Sequence, residues 1–155
     1  MKVINGNIYK NGSFQSGTLL TKDGLISDSD YDGEIVDAHG CYVIPGFVDI
    51  HTHGAAGHDF CDASVLGLEK IAEFEKTQGV TSFCPTSMTL DEERLFKIFD
   101  SAKNCRHSEK QARIIGINME GPFIAQGKRG RKMGNILGIL IAVCLKDCMM
   151  RPEDW

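Results

Sequence analysis

The spacing of hydrophobic and polar positions changes at Pro45. In residues 1–45, short segments rich in strand-forming residues are separated by Asn-Gly and Asp-Gly pairs, which are typical of tight turns. This pattern predicts a small antiparallel β-domain. Beyond Pro45, short apolar runs alternate with longer segments whose apolar residues recur every three to four positions. That second pattern predicts strand–helix units, which build a parallel sheet with right-handed crossovers.

Three strands and two helices are predicted after Pro45. The first strand is a short run, apolar except for Asp49, as expected of a strand that is buried on both faces. Short connections join it to the helices and strands that follow. The predicted elements are a strand at 47–50, a helix at 62–78, a strand at 80–88, a helix that begins after Thr89, and a strand at 112–120.

Helix-terminal signals set the expected boundaries. Asp62 is the predicted N-cap of the first helix, and Gly79 is the predicted left-handed residue after its end. Thr89 and Glu92 have the spacing of a capping box for the second helix. The residues that we expect to face inward on the second helix are Leu95, Phe96, Ile98, Phe99 and Ala102.

Composition limits the class of protein. Hydrophobic residues make up 42% of the 155 residues and charged residues 25%, which is typical of a globular chain, and the net charge is −4. Without a basic stripe, nucleic acid is not the expected partner. The longest apolar run has ten residues, 136–145, whereas a membrane span needs about 20. Neither nucleic acid nor a membrane is therefore expected to bind this chain.

Cysteine usage indicates a reducing compartment. The six cysteines show no CxxC spacing, and the amino-terminal segment is too polar for a signal peptide. We therefore expect free thiols and a cytoplasmic location. Cys84 has no histidine placed beside it, so it is interpreted as a buried thiol rather than a nucleophile.

Candidate metal ligands follow two of the predicted strands. His51 and His53 are two positions apart after the first strand, so their side chains share a face. This is the carboxyl end of the strand, where α/β folds place their active sites, and paired imidazoles suit zinc, iron or a similar metal. Glu120 ends the third strand. A metal is one partner for a carboxylate at a buried strand end, and an arginine is the other explanation.

Other polar residues in this region have simpler explanations. His58 and Asp59 are better interpreted as a hydrogen-bonded pair in a loop. Asp49 precedes His51 by two residues, so the spacing makes it either a buried polar group or a hydrogen-bond partner of an imidazole. The hydroxyl residues that end the second strand, Thr86 and Ser87, could contact a ligand, but hydroxyls at strand ends are common and a structural role is favoured.

Four blocks of sequence together resemble one family. The chain is similar to the N-acetylglucosamine-6-phosphate deacetylases of the amidohydrolase superfamily from residue 1 to about residue 130. The blocks that carry the resemblance are VIPGFVDIHTHG (43–54), GHDFCDAS (57–64), GVTSFCPTSMT (79–89) and INMEGPFIAQGKRG (117–130).

The resemblance implies a fold and a reaction. The fold is a metal-dependent (β/α)8 TIM-barrel hydrolase with a small N-terminal β-sandwich domain. The reaction releases acetate from N-acetyl-D-glucosamine 6-phosphate, a phosphorylated amino sugar, with a divalent metal of the zinc or iron type as cofactor. Glu120 matches the carboxylate ligand of the family. His51 and His53 match an HxH pair that supports a second metal in some members and is replaced in others.

The chain also departs from the family. A (β/α)8 barrel takes about 250 residues, and only three strand–helix units are expected here. We therefore divide the chain into a β-domain (1–45), an incomplete barrel (46–130) and a divergent tail (131–155). The family draws two further histidines and its catalytic aspartate from later strands. We expect this chain to be inactive alone, or else to act without catalysis by associating with another copy or with a full-length homologue.

Overall fold

The chain divides into two compact units. The first comprises Met1–Pro45, and the second begins at Gly46. The divergent tail that the sequence predicts at 131–155 lies outside the part that the structure describes. No helix in the described part is long and apolar enough to cross a membrane. The residues described by this computed structural model are 1–29, 33–124 and 127.

A five-stranded mixed sheet forms the first unit. Strand β1 pairs antiparallel with β2 across a turn in which Asn11 and Gly12 both have positive φ, 52° and 80°, as the Asn-Gly signal predicts. Strands β4 and β5 pair with β1 in parallel, so the prediction of a wholly antiparallel sheet was wrong. Turn signals fix local hairpins but not the partner of a strand that returns through a longer connection. The strands are β1 (Lys2–Lys10), β2 (Ser13–Lys22), β3 (Leu25–Ile26), β4 (Ile35–Asp37) and β5 (Tyr42–Val43).

A parallel sheet organises the second unit. Strand β9 is central, since Ser82 and Phe83 pair with β6 on one side and with β10 on the other. The predicted third strand is present as two short pieces, β10 and β11, interrupted around Gly116. A small hairpin, β7 with β8, follows β6. The strands are β6 (Phe47–Thr52), β7 (Gly54–Ala55), β8 (His58–Asp59), β9 (Val80–Ser87), β10 (Arg113–Ile114) and β11 (Asn118–Met119).

Two α-helices connect these strands, and both begin later than predicted. Helix α1 (Val65–Thr77) is capped by Ser64, whose side chain accepts a hydrogen bond from the Gly67 N–H. The predicted cap, Asp62, belongs instead to a capping box of the 3₁₀ helix at Phe60–Asp62. Helix α2 (Glu92–Asn104) is capped by Asp91 rather than Thr89. At the end of α1, Gly79 has a φ of 81°, as predicted.

The core lies between the parallel sheet and the two helices. Phe83 of β9 and Ile98 of α2 are fully buried, and the 3₁₀ helix inserts Phe60 into the same cluster. Phe96, which we expected to face inward, is 40% exposed because it lies one position off the buried stripe of α2. The buried cluster contains Phe60, Leu68, Ile71, Ala72, Val80, Phe83, Leu95, Ile98, Phe99, Ala102 and Ala112.

The described strands do not close a barrel. Strand β6 forms one edge, and its residues Phe47, Val48 and Ile50 are 57%, 57% and 66% exposed. The prediction that β6 is buried on both faces was therefore wrong for this chain, since no described element covers these side chains. The architecture is an incomplete barrel.

Candidate metal centre

The two histidines and the glutamate meet at the carboxyl edge of the parallel sheet. Glu120 Oε2 lies 3.6 Å from His51 Nε2 and 3.3 Å from His53 Nε2. One ligand atom from each residue lies within 4.8 Å of the others. The side chains are partly exposed, 55% for His51, 36% for His53 and 27% for Glu120. A solute in water can therefore reach all three.

The two histidine–glutamate separations fit a shared divalent cation. Two donors bound tetrahedrally at about 2.1 Å from zinc lie about 3.4 Å apart, close to the two histidine–glutamate distances. Two imidazoles and one carboxylate are also a donor set that zinc and ferrous iron accept. The geometry and the chemistry of these side chains are thus compatible with a metal ion, although a protonated histidine would contact Glu120 at the same distances.

A backbone carbonyl supports the ring of His53. Nδ1 of His53 lies 3.1 Å from the carbonyl oxygen of Thr86, at the end of β9. The carbonyl only accepts, so this bond places the proton of a neutral ring on Nδ1. The lone pair of Nε2 is then directed toward Glu120, which is the arrangement found in many metal-binding histidines.

A second bond fixes the main chain at Glu120. The Thr89 hydroxyl donates to the carbonyl oxygen of Glu120 over 2.7 Å, and Thr89 is buried. The next residue, Gly121, has a φ of 96°, and a Cβ there would lie 2.4 Å from Thr89 Oγ1. Only glycine therefore allows Thr89 to approach this closely.

Asp49 does not contact an imidazole through any hydrogen bond that the structure records. Its Oδ1 accepts from the backbone N–H of His51 over 2.8 Å. The register of β6 against β9 shifts between Asp49 and Thr52, so the simple alternation used in the sequence prediction does not hold here. Asp49 supports the main chain of His51 instead.

His58 and Asp59 lie outside the cluster of three ligands. Both belong to the small β7–β8 hairpin, and the Asp59 carboxylate accepts from the Cys61 N–H as the cap of the 3₁₀ helix. The ring of His58 lies over the start of α1, where a Cβ on Gly67 would come within 3.3 Å of Nδ1. These positions agree with a structural role for the pair.

The remaining polar groups near the strand ends show no sign of nucleophilic chemistry. Burial, and secondarily the charge of Asp49, raises the pKa of the Cys84 thiol, which keeps it protonated at neutral pH. Burial likewise raises the pKa of Cys61. Ser87 Oγ is buried with no hydrogen-bond partner among the described residues. Every cysteine in the described part of the chain is a free thiol.

Sequence reasoning missed three groups that support the ligands. They are the carbonyl oxygen of Thr86, the hydroxyl of Thr89 and the side-chain amide of Asn118, which donates to the Ile50 carbonyl. A backbone carbonyl carries no residue-type signal. Asn118 had a detectable one, since it precedes Glu120 by two positions as Asp49 precedes His51.

Known proteins resemble this chain in both sequence and structure. Residues 34–88 match the amidohydrolase family. N-acetylglucosamine-6-phosphate deacetylase of Bos taurus is 32% identical over 141 residues, which is 84% of this chain and 34% of the bovine protein. The chain therefore spans about a third of the length of the curated relatives that it matches.

Solved structures share the fold. N-acetylglucosamine-6-phosphate deacetylase from Pasteurella multocida superposes with a TM-score of 0.78 at 22% identity, covering 94% of this chain and 40% of that one. The enzyme from Mycobacterium smegmatis in complex with N-acetyl-D-glucosamine-6-phosphate gives 0.73 at 16% identity, covering 96% and 39%. At these identities the similarity establishes the fold alone.

The fold is that of an incomplete (β/α)8 barrel, and the sequence is similar to that of the amidohydrolase family. The predicted resemblance to the N-acetylglucosamine-6-phosphate deacetylases is confirmed by the curated relatives.

Proposed function

We propose that His51, His53 and Glu120 hold a divalent metal ion as part of a deacetylase site for N-acetyl-D-glucosamine 6-phosphate. One observation carries this proposal: the ligand atoms of three residues, 69 positions apart at the extremes, lie within 4.8 Å of one another at the carboxyl edge of a parallel sheet. That edge is where barrel enzymes bind their substrates.

The choice of substrate rests on the relatives. The curated protein from Bos taurus is an N-acetylglucosamine-6-phosphate deacetylase, and the structure from Mycobacterium smegmatis contains N-acetyl-D-glucosamine-6-phosphate. Hydrolysis of the acetamido group adds water across the C–N bond and gives acetate and D-glucosamine 6-phosphate.

The described residues would orient the metal ligands and offset part of the charge of the metal ion. A divalent ion, when bound, polarises an amide carbonyl and lowers the pKa of a coordinated water toward neutrality. His53 presents Nε2 because the Thr86 carbonyl holds the other ring nitrogen. Glu120 supplies one negative charge, and the Thr89 hydroxyl fixes its main chain. These bonds prearrange the donors before any ligand arrives.

The described residues do not supply a complete reaction. Hydrolysis of an amide also needs a group that delivers a proton to the leaving amine, and the resemblance places that aspartate, with two further histidines, on later strands. Since the chain spans about a third of its relatives, we propose that the 155-residue chain alone does not release acetate.

Complementation tests the proposed function. The chain would be co-expressed with the part of the Pasteurella multocida deacetylase that it does not cover, and acetate release from N-acetyl-D-glucosamine 6-phosphate would be measured. We expect activity from the pair, none from either part alone, and none when the chain carries Glu120→Gln. An active pair whose rate is unchanged by Glu120→Gln would contradict the role of the cluster.

A second function is favoured by the exposed edge of the sheet. Strand β6 exposes Phe47, Val48 and Ile50, and an uncovered apolar edge invites pairing with another chain. On this alternative the chain is non-catalytic and associates with a longer homologue. Co-purification that changes the homologue's activity, and that survives Glu120→Gln, would favour the alternative over catalysis.

A further inference from the structure

The peptide group between Ile50 and His51 is held at both ends by side chains. Its carbonyl oxygen accepts from Asn118 Nδ2 over 2.9 Å, and its N–H donates to Asp49 Oδ1 over 2.8 Å. The group lies within the register shift between Asp49 and Thr52. Thr52 pairs there with Pro85, which has no N–H to donate. Side-chain bonds therefore fix the orientation of this peptide group where the ladder is irregular.

Asn118 joins the two strands that carry the candidate ligands. It lies on β11, two residues before Glu120, and pairs with Thr86 of the central strand β9. Its side chain nevertheless bonds to Ile50 of β6, one residue before His51. A single amide therefore links the strand of His51 to the strand of Glu120 across the strand between them.

The two histidines are supported in different ways. The ring of His53 is held directly by the Thr86 carbonyl. For His51, the structure records hydrogen bonds only to the main chain around the residue, and its ring has the larger exposed fraction, 55% against 36%. The His51 ring also lies 3.6 Å from Glu120 and edge-on to the His53 ring, but neither contact fixes its main chain. The position of the ring therefore depends on the peptide plane that precedes it, because rotating that plane moves the Cα–Cβ bond.

We propose that Asn118 is a positioning residue for His51. It sets the distance between His51 and Glu120 by clamping the Ile50–His51 peptide to the strand of Glu120. This inference rests on the proposed function, in which the three side chains bind a metal. Groups that orient metal ligands typically contribute 10- to 100-fold to metal affinity.

The test begins without metal, so that it does not depend on the proposed function. Imidazole ¹⁵N–¹H correlations of the metal-free chain would be compared for the unmodified chain, Asn118→Ala and Asn118→Asp, with Asn104→Ala of helix α2 as the matched control. We expect both Asn118 variants to shift the His51 ring resonances by more than those of His53, whose ring lies edge-on to that of His51 with the centroids 5.2 Å apart. Unchanged His51 resonances, or equal shifts on both rings, would overturn the proposal.

Metal affinity gives the second readout. Titration with Co(II) should show a 10- to 100-fold loss of affinity for Asn118→Ala. Asp49→Asn, which keeps an acceptor for the His51 N–H, should retain most of the affinity. If the unmodified chain binds no Co(II), the proposed metal site is wrong, but the resonance test of Asn118 is still valid. If the chain binds Co(II) and Asn118→Ala binds as tightly, the positioning role fails.

Thermal unfolding separates positioning from a general structural role. A residue that only ties strands together would lower the melting temperature and disturb many resonances. We expect Asn118→Asp, which keeps the size of the side chain and removes its donor, to show the selective effect on His51 with an unchanged far-UV circular dichroism spectrum. A global loss of structure in Asn118→Asp and in Asn118→Ala alike would contradict a specific positioning role.

Discussion

At the scale of single residues, Glu75 is an unusual carboxylate. It lies on the buried side of α1 and is only 6% exposed. Burial, and secondarily the negative charge of Asp49, raises its pKa above the ordinary value of 4.5. Folding therefore favours the protonated form. The contribution of that preference to stability is complete below the ordinary pKa and is lost as the pH rises through the raised value.

We predict that Glu75→Gln stabilises the chain at neutral pH. The ionised form of Glu75 is disfavoured by burial and by the charge of Asp49, whereas glutamine carries no charge. The gain in the free energy of unfolding, measured by denaturant titration, should diminish as the pH falls toward 4, where Glu75 becomes protonated.

The matched control for this variant is Glu73→Gln on the same helix. Glu73 is partly exposed and pairs with Lys70 over 2.7 Å, and such surface pairs contribute about 0–1 kcal/mol. Glu73→Gln should therefore be neutral or slightly destabilising at pH 7. Equal stabilisation by both variants would mean that net charge, not burial of Glu75, is responsible.

The residue scale also shows how far the sequence predicted the candidate site. The spacing of His51 and His53 and the position of Glu120 at a strand end were sufficient to place them near one another. The bonds that support them were not predictable, because the acceptors are the backbone carbonyls of Thr86 and Ile50. Their partners depend on the register of β6 against β9, which shifts beside Pro85.

At the scale of elements, the start of helix α2 also could not be predicted from the sequence alone. Residues 89–92 of the sequence contain two residues that can cap a helix, Thr89 and Asp91. The structure uses Asp91 as the cap of α2, and Thr89 donates to the Glu120 carbonyl instead. A tertiary contact thus selected between two locally acceptable starts, and the sequence pattern contains no information on that contact.

We predict distinct effects for these two positions. Asp91→Ala removes the acceptor for the Arg94 N–H and should lower the free energy of unfolding by about 1 kcal/mol. Thr89→Val removes only the bond to Glu120 and should leave the helix content unchanged while it weakens Co(II) binding. Circular dichroism, denaturant titration and Co(II) titration distinguish the two variants.

The opposite pattern would contradict the assignment of the cap. Loss of helix content in Thr89→Val, together with an unchanged free energy of unfolding in Asp91→Ala, would support the capping box that the sequence predicts. Asp100→Ala, an exposed position within α2, serves as the control for general effects of substitution in this helix.

At the scale of the whole molecule, the open edge of the sheet dominates the expected behaviour. The parallel sheet of the second unit is three strands wide. Its edge strand, β6, exposes apolar side chains. Parallel sheets are normally covered on both faces. The fold class was predictable from the alternation of strand and helix patterns, whereas the exposure of the β6 side chains was not, because it depends on which elements cover them.

We predict that the 155-residue chain associates through this edge. Size-exclusion chromatography with light scattering should give a mass above 17.1 kDa that depends on concentration. Val48→Lys should shift the chain toward the monomer, because a charged residue on an edge strand opposes pairing. The matched control is Leu66→Lys on α1, since Leu66 is 64% exposed. Monomeric behaviour of the unmodified chain, or equal effects of both substitutions, would refute pairing through β6.

The central claim concerns the cluster of His51, His53 and Glu120, and Co(II) titration of the purified chain tests it most directly. We predict one bound ion, with an affinity weaker than nanomolar because the described part of the chain supplies three protein ligands. The visible bands should be lost in His53→Ala and in Glu120→Gln and retained in His58→Ala, the neighbouring histidine outside the cluster. Co(II) binding that is unaffected by Glu120→Gln, or that depends on His58, would contradict the account.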